Sequence, residues 1–255
     1  MQTIGATSLP VVNRPLQFAS FSNSLLDVLP QHARRLLALH VEPVSLPSGR
    51  IILECEDLIT HLYFPTTATC SLQALLEEGL AIEVAVVGQE GVIGLAALLG
   101  QRRSPNRVVV QSPGRFLRVR TELIKEQFDR NREFQQRTLR FTSTLLTIIS
   151  QTSACSTRHS VKQRFCRWLL MVHDRLQSDN ISVTQDFIGQ LLGCRRASVT
   201  AVANDLQKTS AINHTRGNIR VLNRYPLEVN ACECYKVNRQ EFERFMASFC
   251  LSFST

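Results

Sequence analysis

Arg195 and Arg196 open a run, RRASVTAVANDLQK, in which large side chains are few and regularly placed. On a helix, Val199, Val202, Ala203 and Leu206 fall at i, i+3, i+4 and i+7 and form one apolar stripe. The opposite face is then Ala197, Thr200, Ala201, Asn204 and Lys208, with Arg196 at its N-terminal end and Ser198 beside it. Small residues let a helix backbone come close to a partner, and a few directed polar groups then read it. A DNA major groove asks for that combination, with arginine reaching guanine edges or phosphates. The preceding residues fit a partner helix. Thr184 caps a segment with Phe187, Ile188, Leu191 and Leu192 on one side, Asp186 stands in its first turn, and Gly193 permits a sharp turn. Two helices so joined are expected to form a helix-turn-helix. An αα-hairpin with an ordinary solvated face remains the alternative. INHTRGNIRVLNR (212–224) tips the balance, because two short β runs around Arg216-Gly217-Asn218 make a hairpin directly after the second helix, a wing. Arg216, Arg220 and Arg224, with His214, would supply charge for phosphates.

Other residue types capable of chemistry are scattered. Cys194 lies in the turn before the second helix, where a helix N-terminus lowers a thiol pKa, so it is a redox candidate together with Cys232 and Cys234. Cys232-x-Cys234 offers two thiols where a structural zinc usually takes four ligands, so no metal site is expected, and no cofactor. His40 and His61 are lone histidines and weak haem ligands. No Walker loop, dinucleotide glycine pattern or nucleophile elbow occurs, so an enzyme is not expected.

The elements that must carry these groups are read from pattern. Residues 1–20 are polar and proline-interrupted, a loose tail, and 21–40 read as short helices broken at Pro30. Strand-like runs at 50–55, 62–64, 69–76, 81–87, 107–111 and 115–119, punctuated by Gly and Pro, suggest a β sandwich or barrel over 21–120. Residues 121–155 contain no Gly or Pro and predict one long amphipathic helix. Its Phe134, Phe141, Leu145, Ile148, Ile149 and Thr152 stripe either packs on its own β domain or pairs with a twin helix in a homodimer. A further helix at 160–177 opens the C-terminal domain, 156–255. The net charge of +8 is concentrated there: residues 156–224 hold 11 Lys/Arg against 4 Asp/Glu, which favours a polyanionic partner. No apolar run is long enough for a membrane span and no signal peptide is recognised, so the expected location is the cytoplasm, with mostly free thiols.

In this order of parts the chain resembles the Crp/Fnr superfamily of bacterial transcription regulators. The resemblance is carried by HSVKQRFCRWLLMVHDRL (159–176), by 184–208 and 212–224, by CECYKV (232–237), and in the N-terminal half by GQEGVIGLAALLG (88–100). It implies an α+β chain made of a β-roll like those that bind cyclic nucleotides, a long dimerisation helix and a winged helix-turn-helix. It also implies a homodimer on a two-fold-related site in double-stranded DNA and contact with RNA polymerase; the sequence gives neither the existence nor the identity of a small-molecule effector. Three departures qualify this. Cyclic-nucleotide binders of the family carry Gly-Glu and then Arg-Ser or Arg-Thr before a strand; here Gly94 is followed by Leu95, and the aligned pair is Ser104-Pro105, with Arg103 out of register. A buried cyclic phosphate would lack its counter-charge, so no tight cyclic-AMP binding is expected. No cysteine precedes Cys55, which argues against an N-terminal iron–sulfur sensor. In the recognition helix Arg196, Ala197 and Ala201 replace the Arg-Glu and second-Arg pattern, so a different half-site is expected. Two alternatives stay open, a protein-interaction or signalling module with a ligand-binding β-roll, and a regulator switched by thiol oxidation.

Overall fold

The computed structural model describes residues 20–77, 79–176 and 178–247; the expected tail, 1–20, lies almost wholly outside them. The fold is α+β. After a single 3-10 turn at Leu26–Val28, Pro30 caps helix α1 (Gln31–Ala38). Seven strands follow: β1 (Glu42–Leu46), β2 (Ile51–Leu53), β3 (His61–Pro65), β4 (Thr69–Leu75), β5 (Ala81–Val87), β6 (Arg107–Ser112) and β7 (Gly114–Arg120). They form two antiparallel sheets, ordered β1-β7-β3 and β2-β6-β4-β5. Val44, Leu62, Phe64 and Phe116 of the first and Cys70, Val108 and Val110 of the second belong to one buried core. β1 was not expected, because Pro43 lies inside it; as an edge strand it tolerates the missing donor.

The helix expected over 121–155 is two helices, α2 (Thr121–Arg130) and α3 (Arg132–Arg158). Asn131 is extended and its side-chain oxygen accepts from the Phe134 N–H at 2.9 Å, so a side-chain cap, not a Gly or Pro, starts α3. With 27 residues α3 is about 40 Å long. Its apolar stripe is used within the chain: Phe134, Phe141, Leu145, Ile148 and Thr152 are buried and Ile149 is half-buried. The helix packs on β5 and on the last helix, where Phe141 meets Phe245 with ring centroids 5.8 Å apart. The side turned to solvent carries Leu139 and Leu146, 48% and 61% exposed.

The C-terminal part begins with α4 (Val161–His173), whose start is a capping box between Ser160 and Gln163. Phe165 to Val172 are buried without a break, because three later helices, Arg196–Lys208, Arg224–Asn230 and Glu233–Ala247, surround this one. Then come β8 (Asn180–Ser182), α5 (Gln185–Leu191), α6 (Arg196–Lys208), β9 (Ile212–Thr215), β10 (Asn218–Val221), α7 (Arg224–Asn230) and α8 (Glu233–Ala247). β9 and β10 are the expected hairpin, and β8 adds a third antiparallel strand, in the order β8-β10-β9.

The two halves also touch directly. Arg175, just past α4, places Nε 2.8 Å from Oε1 of Glu90 in the loop after β5, and both side chains are at most 5% exposed. The same carboxylate oxygen accepts from the Gly88 N–H at 3.1 Å. Arg175 Nη1 donates to the Met171 carbonyl at 2.9 Å, and its guanidinium lies 5.0 Å from the Phe242 ring centroid.

Candidate nucleic-acid interface

Helix α5 starts where Thr184 Oγ1 accepts from the Phe187 N–H, 3.2 Å away. It ends at Leu192, and Gly193 takes φ of +59°, the left-handed turn that glycine adopts without strain. Gly189, which pattern alone did not single out, sets the crossing. A Cβ there would stand 3.0 Å from the Cys194 carbonyl oxygen and 3.4 Å from the Arg196 nitrogen, so the two helices meet over a hydrogen atom. The inner stripe of α6 falls as expected, with Val199, Ala203 and Leu206 buried and Val202 half-buried.

The outer face of α6 is open. Arg195, Arg196, Ala197, Ala201, Asn204 and Lys208 are exposed, and Ser198 and Thr200 are half-buried. Thr184, Arg216 and Arg220 are exposed as well. Polar side chains tie α5, α6 and the hairpin together. Thr200 Oγ1 donates to Gln185 Oε1 at 2.6 Å. Gln185 Nε2 lies 3.3 Å from His214 Nδ1, and His214 Nε2 lies 3.0 Å from Asn204 Oδ1. A histidine protonated on Nε2 satisfies both contacts, accepting from Gln185 and donating to Asn204. The His214 N–H also donates to Gln207 Oε1 at 3.0 Å, so the hairpin is seated on α6. Arg196 Nη1 rests 3.2 Å from Asp186 Oδ2, an exposed pair easily exchanged for another anion. Thr184, Asp186, Arg196, Thr200, Thr215 and Arg216 border an open groove between these elements.

Arg224 departs from expectation. Its guanidinium is held by Asp174 at 2.8 Å, Glu228 at 3.2 Å and the Tyr235 hydroxyl oxygen at 2.7 Å, which binds α7 to α4 and α8 and takes it off the phosphate-facing set. Cys194 is half-buried, and desolvation raises its pKa, outweighing the nearby Arg164; the activated thiol expected at the helix start is not what burial produces. Cys232 and Cys234 are buried, and His159 and Cys155 stand beside them. Cys232 is held low by the hydrogen bond from Cys155, which is itself raised.

In the β domain, Gly94 has φ of +89°, and a Cβ on it would come within 2.6 Å of Leu62 Cδ2. It lines a cavity of about 230 Å³ with Leu72, Leu95, Ser104, Pro105 and, from α3, Leu145 and Ile149. Among the described residues, no charged side chain lines this cavity. Ser104 is buried and its hydroxyl donates to the Asn106 carbonyl at 2.7 Å, while the Arg103 side chain bonds the Glu56 carbonyl. His40 is exposed, and half-buried His61 is bonded to Thr60.

A two-sheet β domain, a long helix and a winged helix-turn-helix thus define a DNA-binding regulator with a sensor-type domain. Residues 43–131 match the family model of the cyclic nucleotide-binding domain, and residues 163–229 match that of the Crp-like helix-turn-helix domain; together they cover more than half of the chain. The chain belongs to the Crp/Fnr-type transcription regulators. Solved structures of similar fold include a putative Crp/Fnr regulator from Eubacterium rectale, with a TM-score of 0.64 and 16% identity over 82% of this chain and 98% of that one. FixK2 from Bradyrhizobium japonicum gives a TM-score of 0.65 and 15% identity, over 75% of this chain and 98% of that one. The c-di-GMP-responsive global regulator CLP of Xanthomonas campestris gives 0.55 and 13%, over 75% and 99%. Comparison with curated proteins finds no match. No described helix is long and apolar enough to cross a membrane.

Proposed function

We propose that this chain regulates transcription as a homodimer that reads a two-fold-related DNA sequence, with α6 in the major groove and the β9–β10 hairpin as wing. The outer face of α6 carries the proposal: small Ala197 and Ala201 flanked by exposed Arg195, Arg196, Asn204 and Lys208. Thr184, Ser198 and Thr200 line its approach, and Arg216 and Arg220 extend the positive surface for phosphates. The solvent side of α3, with Leu139 and Leu146, supports pairing there, a different face from the stripe that periodicity suggested. RNA polymerase is the proposed protein partner, as the family membership suggests. The β domain is proposed not to respond to cyclic AMP, because its apolar cavity offers a cyclic phosphate no cation and burying that charge unpaired is costly.

Selection of random duplexes against the purified protein at two salt concentrations tests this. A two-fold-symmetric sequence should be enriched, and affinity for it should fall steeply with salt as counterions are released. Arg196→Ala should cost about 1–3 kcal/mol if Arg196 reads a base edge, with relaxed preference at one position of each half-site. Salt-sensitive binding without any enriched sequence, unchanged by Arg196→Ala, would leave only a basic surface and sink the reading.

A further inference from the structure

Four metal-ligating side chains, far apart in sequence, converge where α3 ends and α8 begins. Cys155 and His159 lie one turn apart at the end of α3, and Cys232 and Cys234 flank the first residue of α8. Their ligand atoms all lie within 4.8 Å of one another. Cys155 Sγ is 3.5 Å from Cys232 Sγ, and Cys234 Sγ is 3.5 Å from His159 Nδ1. We propose that Cys155, His159, Cys232 and Cys234 bind one zinc ion in a tetrahedral Cys3His site.

Three observations favour zinc over a plain thiol cluster. The first is size. Zn–S bonds of about 2.3 Å and a Zn–N bond of about 2.0–2.1 Å give a tetrahedron with edges of about 3.5–3.8 Å. Two edges already have that length, and the widest needs to shrink by about 1 Å at most. A polynuclear iron–sulfur cluster interposes several atoms between its thiolates and needs them farther apart. The second is the surrounding shell. Glu233 Oε2 stands 3.2 Å from His159 Nε2, so the carboxylate accepts a hydrogen bond from Nε2–H and leaves the Nδ1 lone pair aimed at the thiols. Carboxylate–histidine pairs of this kind orient zinc ligands. Gln151 Nε2 donates to Cys234 Sγ at 3.1 Å, as a thiolate ligand requires. The third is burial and donor type. The three cysteines are at most 3% exposed, and soft thiolates with one imidazole select zinc among the common divalent ions.

The ion would clamp the end of the long helix to the last helix across the short link into α4, and so fix how the C-terminal domain leaves α3. This inference does not depend on DNA reading. The test uses the full chain purified under reducing conditions. Elemental analysis should find about one zinc per chain, retained through gel filtration. Cys232→Ser and His159→Ala should bring it near zero, while Cys55→Ser, in the β domain, leaves it unchanged. Because a ligand variant could simply fail to fold, zinc is also removed from the wild type and replaced with cobalt. Tetrahedral thiolate coordination gives intense d–d bands in the red and a thiolate-to-cobalt charge-transfer band in the near ultraviolet. Sub-stoichiometric zinc together with a pale, octahedral cobalt spectrum on folded protein would overturn the site. So would a Cys155–Cys232 disulfide in that reduced preparation.

Discussion

Glu90→Gln tests whether the two halves are latched together by a buried charge pair. The substitution keeps the size of the side chain and an oxygen for the Gly88 N–H, but removes the charge that Arg175 faces at 2.8 Å. Arg175 would stay buried, 5% exposed, with only neutral partners: the amide oxygen in place of the carboxylate, the Met171 carbonyl and the Phe242 ring. Leaving one member of such a pair uncompensated costs about 3–5 kcal/mol, a large part of the roughly 5–15 kcal/mol that holds a typical fold. In a chain of this size each kcal/mol lowers Tm by about 2–4 °C, so a fall of about 10 °C is expected. Replacing both members separates charge loss from lost packing. Glu90→Leu with Arg175→Met should recover most of the loss, because well-packed apolar groups often match a buried pair. Urea and thermal unfolding of the wild type and the two variants measure this. A Glu90→Gln variant within 1 kcal/mol of the wild type, or a double variant as unstable as Glu90→Gln, refutes the latch.

Two further outcomes are expected. Glu83 is buried on β5 beside Ser71 and the Gln111 amide, and burial raises its pKa from 4.5 to about 7 despite Ser71 and the nearby Arg167 and Arg175. The folded state therefore holds a proton that the unfolded chain releases above about pH 4.5. The resulting stability, roughly 3 kcal/mol at most, is present at low pH and lost as pH rises through about 7. Unfolding free energies from pH 5 to 8 should fall in the wild type and lose that slope in Glu83→Gln; parallel curves would reject the assignment. Leu139→Asp combined with Leu146→Asp should convert a dimer into a monomer in sedimentation experiments while circular dichroism shows the chain still folded, since both side chains are exposed on the single chain. An unchanged mass moves the pairing surface elsewhere.

What the sequence made legible follows from the range of each signal. β5 was readable to the residue because AIEVAVV is rich in β-branched residues, and α5 and α6 because Thr184, Gly193 and a four-residue stripe lie within one window. β8 has three residues and no pattern of its own; it exists because β10 offers it an edge. The break at Asn131 was hidden because a side-chain cap can end one helix and start another without Gly or Pro. Arg224 looked like its neighbours Arg216 and Arg220, and only the packing of α7 puts Asp174 and Tyr235 beside it.

The long helix shows the limit most sharply. Periodicity states that one side of α3 is buried, but not what buries it, and a twin helix and a distant part of the same chain leave the same stripe. The structure assigns Phe141 to Phe245 and Cys155 to Cys232, partners that only the folded C-terminal domain can bring back to α3. A count of neighbouring ligands then misleads in the same way. Cys232-x-Cys234 falls two ligands short of a zinc site only while the end of α3 is thought to belong to a dimer seam. Once α8 lies along α3, Cys155 and His159 complete the set, and Glu233, between the two cysteines, is in place to hold the imidazole. The stripe and the four ligands thus have one cause, the docking of α8 on α3. A variant that weakens that docking away from the ligands, Phe245→Ala, should therefore lower zinc retention as well as stability. Full retention in a destabilised Phe245→Ala chain would show that the four ligands assemble without that contact.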